Sequence, residues 1–287
     1  MKTTILLLAF ILPLSCLADY PEISETIAYS GNIGKQDVFM TLSTMNERVI
    51  GSYFYKKYKV PIPLSGHVLG SNLMLIEVTD KGDAHIEAEL KDGVIEGEWT
   101  LNGKAHTIAY KALSKSYSTI INKIEVLYGD NSRALLVTFI NGVSQKINIP
   151  VIEERTLVIF EDFTFDGYPD MRVLELEAGG NSSFIYFDYD SESKKFKPSS
   201  SEISRLVNPQ VFHGEKVIVS VSKDGCCIYH AVKILPTEIR FANYDFKLKN
   251  GTETTKDKIV QGESRRSIDK KYFEENYLNF KSESDKK

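Results

Sequence analysis

The chain has 287 residues, of which 42% are hydrophobic, 11% aromatic and 26% charged, with a formal net charge of −4. At roughly 100–200 residues per domain, that length makes one or two domains with ample core, and the aromatic and charged fractions exclude wholesale disorder. The acidic balance argues against a nucleic-acid partner, whose phosphates call for a basic surface.

Residues 1–18 read as a secretory signal peptide. Lys2 gives the positive start, Ile5 to Leu14 the short apolar run, and Ala18 the small residue before the cut at Asp19. The run is shorter than the roughly 20 residues a membrane span needs. A lipid-anchoring signal at Cys16 wants a branched apolar residue where Pro13 stands, so a free periplasmic protein is expected rather than an anchored one. No later stretch approaches 18 unbroken apolar residues, so no transmembrane segment is expected. After cleavage only the adjacent pair Cys226 and Cys227 remains. Such a pair cannot staple distant segments; it can close a vicinal ring, stay as two thiols, or bind a soft metal with His230.

From Thr26 the sequence alternates in short β-branched and aromatic runs: Thr26–Tyr29, Val38–Leu42, Val49–Tyr55, Leu73–Val78, His85–Leu90, Val94–Leu101 and His106–Leu113. Ser65-Gly66, Lys81-Gly82-Asp83, Asp92-Gly93 and Asn102-Gly103 read as breaks between them. Asp-Gly and Asn-Gly between alternating runs signal hairpins, because type I′ turns need positive φ. About eight short strands at this spacing predict an antiparallel meander over 19–114 that closes as a barrel or a sandwich. Glu87 and Glu89 alternate with Ile86, Ala88 and Leu90, so one face is expected to be wet.

A join at Lys115–Ser118 leads into a second β-rich domain, 115–249. Its strands are expected at Ile120–Tyr128, Ala134–Ile140, Val143–Val151, Leu157–Phe160, Val173–Leu176, Phe184–Tyr189 and Val217–Val221, with a last hairpin over Ile228–Leu235 and Thr237–Lys247. Ser201–Val207 is the only helix-like piece in the middle of the chain. Residues 250–287 turn to Lys, Glu, Ser and Asp and read as a charged tail, with Ile268, Tyr272, Tyr277 and Phe280 spaced for one amphipathic helix.

The one chemical motif lies at 161–170. Asp162, Thr164, Asp166 and Asp170 place oxygens at loop positions 1, 3, 5 and 9, Gly167 stands at position 6, and Tyr168 can offer its carbonyl at position 7. This is calcium-loop spacing, since Ca²⁺ takes six to eight hard oxygens. The bidentate Glu of a full helix–loop–helix site is replaced by Val173, and the flanks read as strands. The other reading is an Asx-rich turn with solvated acids.

With its flanks Ala178-Gly179-Gly180-Asn181 and Phe184–Asp190, the loop resembles exported bacterial β proteins with an FG-GAP or VCBS-type calcium loop. That family includes periplasmic immunity proteins against lysozyme-like effectors delivered by type IV secretion. The resemblance covers roughly 120–247 and departs at Thr164, where the family usually has Asn. It implies a propeller-blade-like domain and calcium on Asp162, Thr164, Asp166, Tyr168 and Asp170. It also implies a protein partner, a peptidoglycan-degrading enzyme that this chain would occlude. On that reading the loop braces the Ala178–Asn181 turn, and Asn181 and Tyr168 supply polar contacts. The strands before residue 114 resemble a β module seen beside such domains.

Familiar catalytic patterns are missing: G-x-S-x-G, H-E-x-x-H, paired C-x-x-C and the glycine-rich nucleotide cradles do not occur. The five histidines are scattered. The residues themselves point to an exported all-β protein without familiar catalytic motifs; the resemblance implies that it is a non-enzymatic inhibitor, with a cell-envelope hydrolase using an unmarked acid pair or a carbohydrate-binding calcium module as the alternatives.

Overall fold

A computed structural model describes residues 20–280 except 59, 80, 81, 151 and 261. The leader, with Cys16 and its cleavage site, lies outside the described residues.

The first eight strands are β1 (Glu22–Ile33), β2 (Gln36–Met45), β3 (Arg48–Tyr55), β4 (Ile62–Leu69), β5 (Asn72–Thr79), β6 (Gly82–Lys91), β7 (Val94–Leu101) and β8 (Lys104–Ala112). Each pairs antiparallel with the next, and β8 returns to β1 at Tyr29–Ile33, so the expected meander closes as a barrel. Period-two alternation fills its interior with Ile27, Tyr29, Met40, Leu42, Leu73, Leu75, Ile86, Ile95 and Ile108. One end is plugged by Glu77, which accepts hydrogen bonds from Tyr53 Oη at 2.6 Å and Trp99 Nε1 at 3.0 Å.

Ser65-Gly66 is not a break. Both residues lie inside β4, where a Cβ on Gly66 would stand 2.0 Å from the Met74 carbonyl oxygen. The glycine marks a close approach of backbones in the barrel wall, which a sequence scan reads as a turn.

β1 is longer than the barrel needs. Its first half, Glu22–Thr26, pairs in parallel with β12 (Leu157–Glu161), so one strand serves β8 at one end and β12 at the other. β12 continues into β13 (Asp170–Ala178), β14 (Asn181–Asp190) and β15 (Lys195–Pro198). A three-stranded sheet of β9 (Ile121–Gly129), β10 (Ser132–Phe139) and β11 (Ser144–Ile149) packs on one face of this extension. Leu135, Val137 and Phe139 meet Val158, Phe160, Met171 and Phe196 there. The opposite face carries Phe163 and Tyr186 against Leu206, Ile218, Ile234 and Ile239. The isoleucines belong to a six-stranded sheet, β16 (Pro209–Phe212), β17 (Val217–Asp224), β18 (Ile228–Ile234), β19 (Glu238–Asp245), β20 (Asn250–Asp257) and β21 (Glu263–Ile268). Tyr186 and Phe187, adjacent on β14, point into different cores, as a pleated strand between two layers requires.

Two expectations need correction. Ser201–Val207 forms turns, not a helix: Ser204 N bonds Ser200 O at 2.9 Å once, and β16 begins at Pro209. The charged stretch after Asn250 is not a tail over its described part. It forms β20 and β21, then the short helix α1 (Lys270–Phe273) and a π-helical turn (Glu274–Leu278). Composition misled here because these strands bury few apolar side chains. Their anchor is polar: Glu253, 1% exposed, accepts from Arg266 Nε at 2.9 Å, Arg266 Nη2 at 2.7 Å and the hydroxyls of Tyr272 and Tyr277. Burial works to raise its pKa, but these donors outweigh it and hold the carboxyl below its usual range. Phe273 and Tyr277 then close the apolar face over Tyr244 and Val219.

Phe273 is fully buried, so Phe273→Ala should destabilise the chain by about 3–5 kcal/mol in denaturant unfolding. A mobile tail would lose nothing on the same substitution.

Candidate functional site

The loop at 161–170 joins β12 to β13 and is held by its own acids. Asp162 accepts from the amides of Asp166 at 3.0 Å and Gly167 at 2.9 Å. Asp166 accepts from Tyr168 N at 2.9 Å. Asp170 is fully buried; one oxygen accepts from Phe163 N, Thr164 N and Thr164 Oγ1 at 2.9–3.1 Å, the other from Tyr189 N at 2.9 Å. Burial pushes Asp170 up to about 8 and Asp162 up to about 6 against the pull of these donors. Gly167 has φ +87°, which lets the chain turn back on itself, and Phe163 is buried as the loop's apolar anchor.

For a calcium ion the set fits in part. The carboxylates of Asp162 and Asp166 keep lone pairs beyond these bonds, whereas Asp170 Oδ2 already accepts three hydrogens and Thr164 donates to it. Among the described residues, no three His, Cys, Asp or Glu side chains gather as a metal cage. Tyr168 lies outside this network through its ring, which carries Lys115 Nζ at 4.2 Å from its centroid, while Lys115 N donates to Gly167 O at 3.0 Å. The loop is therefore tied to the segment that leaves the barrel.

Beneath the loop lies a buried charge cluster. Arg172 pairs with Glu161 at 3.0 Å and stacks over Phe184. Burial pushes Glu161 up against the pull of Arg172. His213, 3.8 Å from Glu161 and edge-on to Phe165, has no hydrogen-bond partner on either ring nitrogen. Burial, aided by the Arg172 charge, lowers its pKa to about 4, so it is neutral at pH 7 and the contact is not an ion pair.

The loop does not brace the Ala178–Asn181 turn. The two sit at opposite ends of β13, nine residues long and so about 26 Å from end to end. Nor is Asn181 free for a partner. Its side chain donates to Lys223 O and accepts from Lys223 N, both at 2.9 Å, and so fastens the turn to β17. Cys226 and Cys227 form a vicinal disulfide between β17 and β18. His230 bonds Asn243 Oδ1 at 2.7 Å on the neighbouring strand.

The outer wall of the barrel carries a second candidate. On β5 the inward positions are Leu73, Leu75 and Glu77, and the outward ones are the exposed Met74, Ile76 and Val78. Beside them β6 and β7 bring four exposed glutamates into one block, with Glu87 opposite Glu98 and Glu89 opposite Glu96. Met74 pairs with Glu87, and Ile76 with His85. Like charges directly opposite each other destabilise a sheet, and no ion pair offsets these among the described residues. This block was legible without coordinates: a two-residue turn at Asp92-Gly93 sets residue 89 against 96 and 87 against 98.

The chain matches no family model, no curated protein and no solved structure. The likeness of the loop to calcium-loop proteins thus rests on its residues alone.

His213 generates a pH prediction. Between pH 6.5 and 4 the unfolded chain takes up a proton at this residue and the folded chain does not, so stability falls as pH drops through that window. His213→Phe should flatten the loss, by about 3 kcal/mol at most, in urea melts at pH 7 and pH 4.5. An equally steep fall in the variant would show that other groups carry it.

Proposed function

We propose that this is an exported binding protein that occludes a basic, peptidoglycan-degrading enzyme of the lysozyme type, using the outer wall of the barrel as its contact face. The observation that carries this reading is the glutamate block Glu87, Glu89, Glu96 and Glu98 set against exposed Met74 and Ile76. The cell wall is an anionic polymer, and enzymes that work on it gain from a positive surface. An acidic face with an apolar margin complements such a surface: the charges steer encounter, and the apolar side chains supply area to desolvate. The arrangement weakens the free sheet, which is the expected sign of residues retained for a partner rather than for folding. The propeller-blade likeness of the second body and the periplasmic location belong to the same reading, as does the absence of catalysis.

The test mixes the purified mature chain with a panel of basic, lysozyme-type enzymes and follows lysis of cell walls. Stoichiometric protection is expected. Glu87→Lys with Glu89→Lys should weaken it tenfold or more at low salt, while restoring opposite-charge pairs and raising stability by about 0.2–1 kcal/mol each. Undiminished lysis at large excess rejects the inhibitor, and lysis by the chain alone makes it a hydrolase.

Calcium on the loop is a separate part of the proposal. Asp162 and Asp166 would be its carboxylate ligands, with the Tyr168 carbonyl, and the site would be weak, with Kd on the order of 10⁻⁴–10⁻³ M. Millimolar calcium should then raise the melting temperature of the wild type and leave Asp166→Ala unmoved. A wild type indifferent to both calcium and chelator rejects the ion.

A further inference from the structure

Where β1 exchanges β8 for β12, the barrel wall opens. The turns 46–47, 70 and 92–93 ring this end of the barrel, and the segment Leu113–Thr119 crosses above it. The cleft these elements line holds about 1030 Å³ and is open to solvent at its mouth, the scale of a small-molecule pocket. Its floor is the apolar interior of the barrel, formed by Ile27, Tyr29 and Leu42, and Val68, Leu90 and Ala112 make its walls.

Beside the apolar floor of this cleft, one charged side chain is contributed by the strand itself. Glu25 shares the inward register of Ile23, Ile27 and Tyr29 on β1, a position where the alternation calls for an apolar residue. Its oxygens accept from Tyr117 N at 2.6 Å and Ser116 Oγ at 3.0 Å, which ties the crossing segment to the barrel and leaves each oxygen a further lone pair. Both donors are neutral. The lining holds four other charged groups. Glu47 and Asp92 are exposed in the rim turns and add negative charge. Lys111 alternates with inward Tyr110 and Ala112 and so faces out of β8, and the ammonium of Lys115 is held over the Tyr168 ring. No ion pair joins Glu25 to a cation among the described residues. Enclosure consequently lifts its carboxyl to about 7, against the two hydrogen bonds that lower it.

We propose that this cavity is a binding site for a small organic cation with an apolar body, its ammonium-type head on Glu25 and its chain directed toward Ile27, Tyr29 and Leu42. Such a ligand supplies the missing counter-charge and fills the space that the side chains leave. It does so on the open end of the barrel, apart from the glutamate block of the outer wall, so the two sites stand or fall independently.

The probe is n-octylammonium, with octanoate and octanol as controls of equal chain length, titrated calorimetrically into the mature protein at pH 7.5. Saturable one-to-one binding of the cation is expected, at least tenfold tighter than either control. Glu25→Gln, which preserves an acceptor for Tyr117 N, should lose tenfold or more for the cation and little for octanol. Val68→Trp, which fills the cavity from its wall, should abolish binding of both. Melting curves of each variant report that it is folded. At pH 6.5, where Glu25 carries a proton in part of the molecules, cation binding should release protons, read as a dependence of the heat on buffer ionisation enthalpy. That dependence should vanish in Glu25→Gln, a readout that a merely structural glutamate would not give. Preference for octanoate, equal affinity of wild type and Glu25→Gln, or no saturable binding by the wild type would each overturn the proposal.

Discussion

The structure turns on a single strand asked to pair with more neighbours than it has edges. β1 keeps β2 along one edge from Ser24 to Ile33 and divides the other between β8 and β12. Closing an eight-stranded barrel needs β8 on that edge, and joining the second body to it needs β12. A strand of 12 residues can satisfy both only in succession. The consequence is a gap in the wall at Ile27–Ala28, between the end of β8 opposite Tyr29 and the end of β12 opposite Thr26. The connecting segment 113–119 must cross it with backbone groups that neither ladder satisfies. Ala28 O accepts from Leu113 N at 2.8 Å, Glu25 from Tyr117 N, and Gly167 O from Lys115 N. The crossing is thus sealed by one carbonyl of β1, one carboxyl of β1 and one carbonyl of the acidic loop.

That sealing explains why the loop is acidic and rigid whatever else it holds. A tight turn between two buried strands presents amides with no strand partner, and unsatisfied buried amides are costly. Asp162 and Asp170 collect them: Asp166, Gly167, Phe163, Thr164 and Tyr189 all donate to these two carboxyls. Below, the Glu161–Arg172 pair fills the space between the loop and the His213 turn. Neutral His213 is the weak element of that packing, because it brings two polar nitrogens and no partner for either.

The barrel was legible because its strands alternate cleanly and its last two hairpins turn at Asp92-Gly93 and Asn102-Gly103. β4 was hidden because Pro63 and Gly66 answer to the barrel wall, not to strand propensity: Pro63 lies opposite Ser52 near the strand's start, and Gly66 admits the neighbouring backbone. β20 and β21 were hidden for the opposite reason. Their hold on the sheet runs through Glu253 and the hydroxyls of Tyr272 and Tyr277, 19 and 24 positions beyond it, and no local pattern announces a buried glutamate. The motif at 161–170 was visible as a turn rich in acids, but spacing could not show which oxygens were already engaged. Only pairing and burial show that Asp170 is committed to its own loop and that Asn181 is committed to β17.

Three features break local rules: Glu25 in an apolar register, where it holds the crossing segment but faces no cation, four glutamates in facing pairs, and apolar side chains on the wet side of β5. The two on the outer wall have structurally better substitutes: lysines at 87 and 89 would make opposite-charge pairs, and threonines at 74 and 76 would suit an exposed strand. A leucine at position 25 would continue the barrel's apolar register but leave Tyr117 N without its acceptor. The two that concern the outer wall lie side by side on β5, β6 and β7, and the third opens into the cavity where the wall is incomplete. Glu161 and Glu253 each face an arginine, whereas Glu25 and the glutamates of the outer wall face no cation among the described residues, and a positively charged partner is what would compensate them.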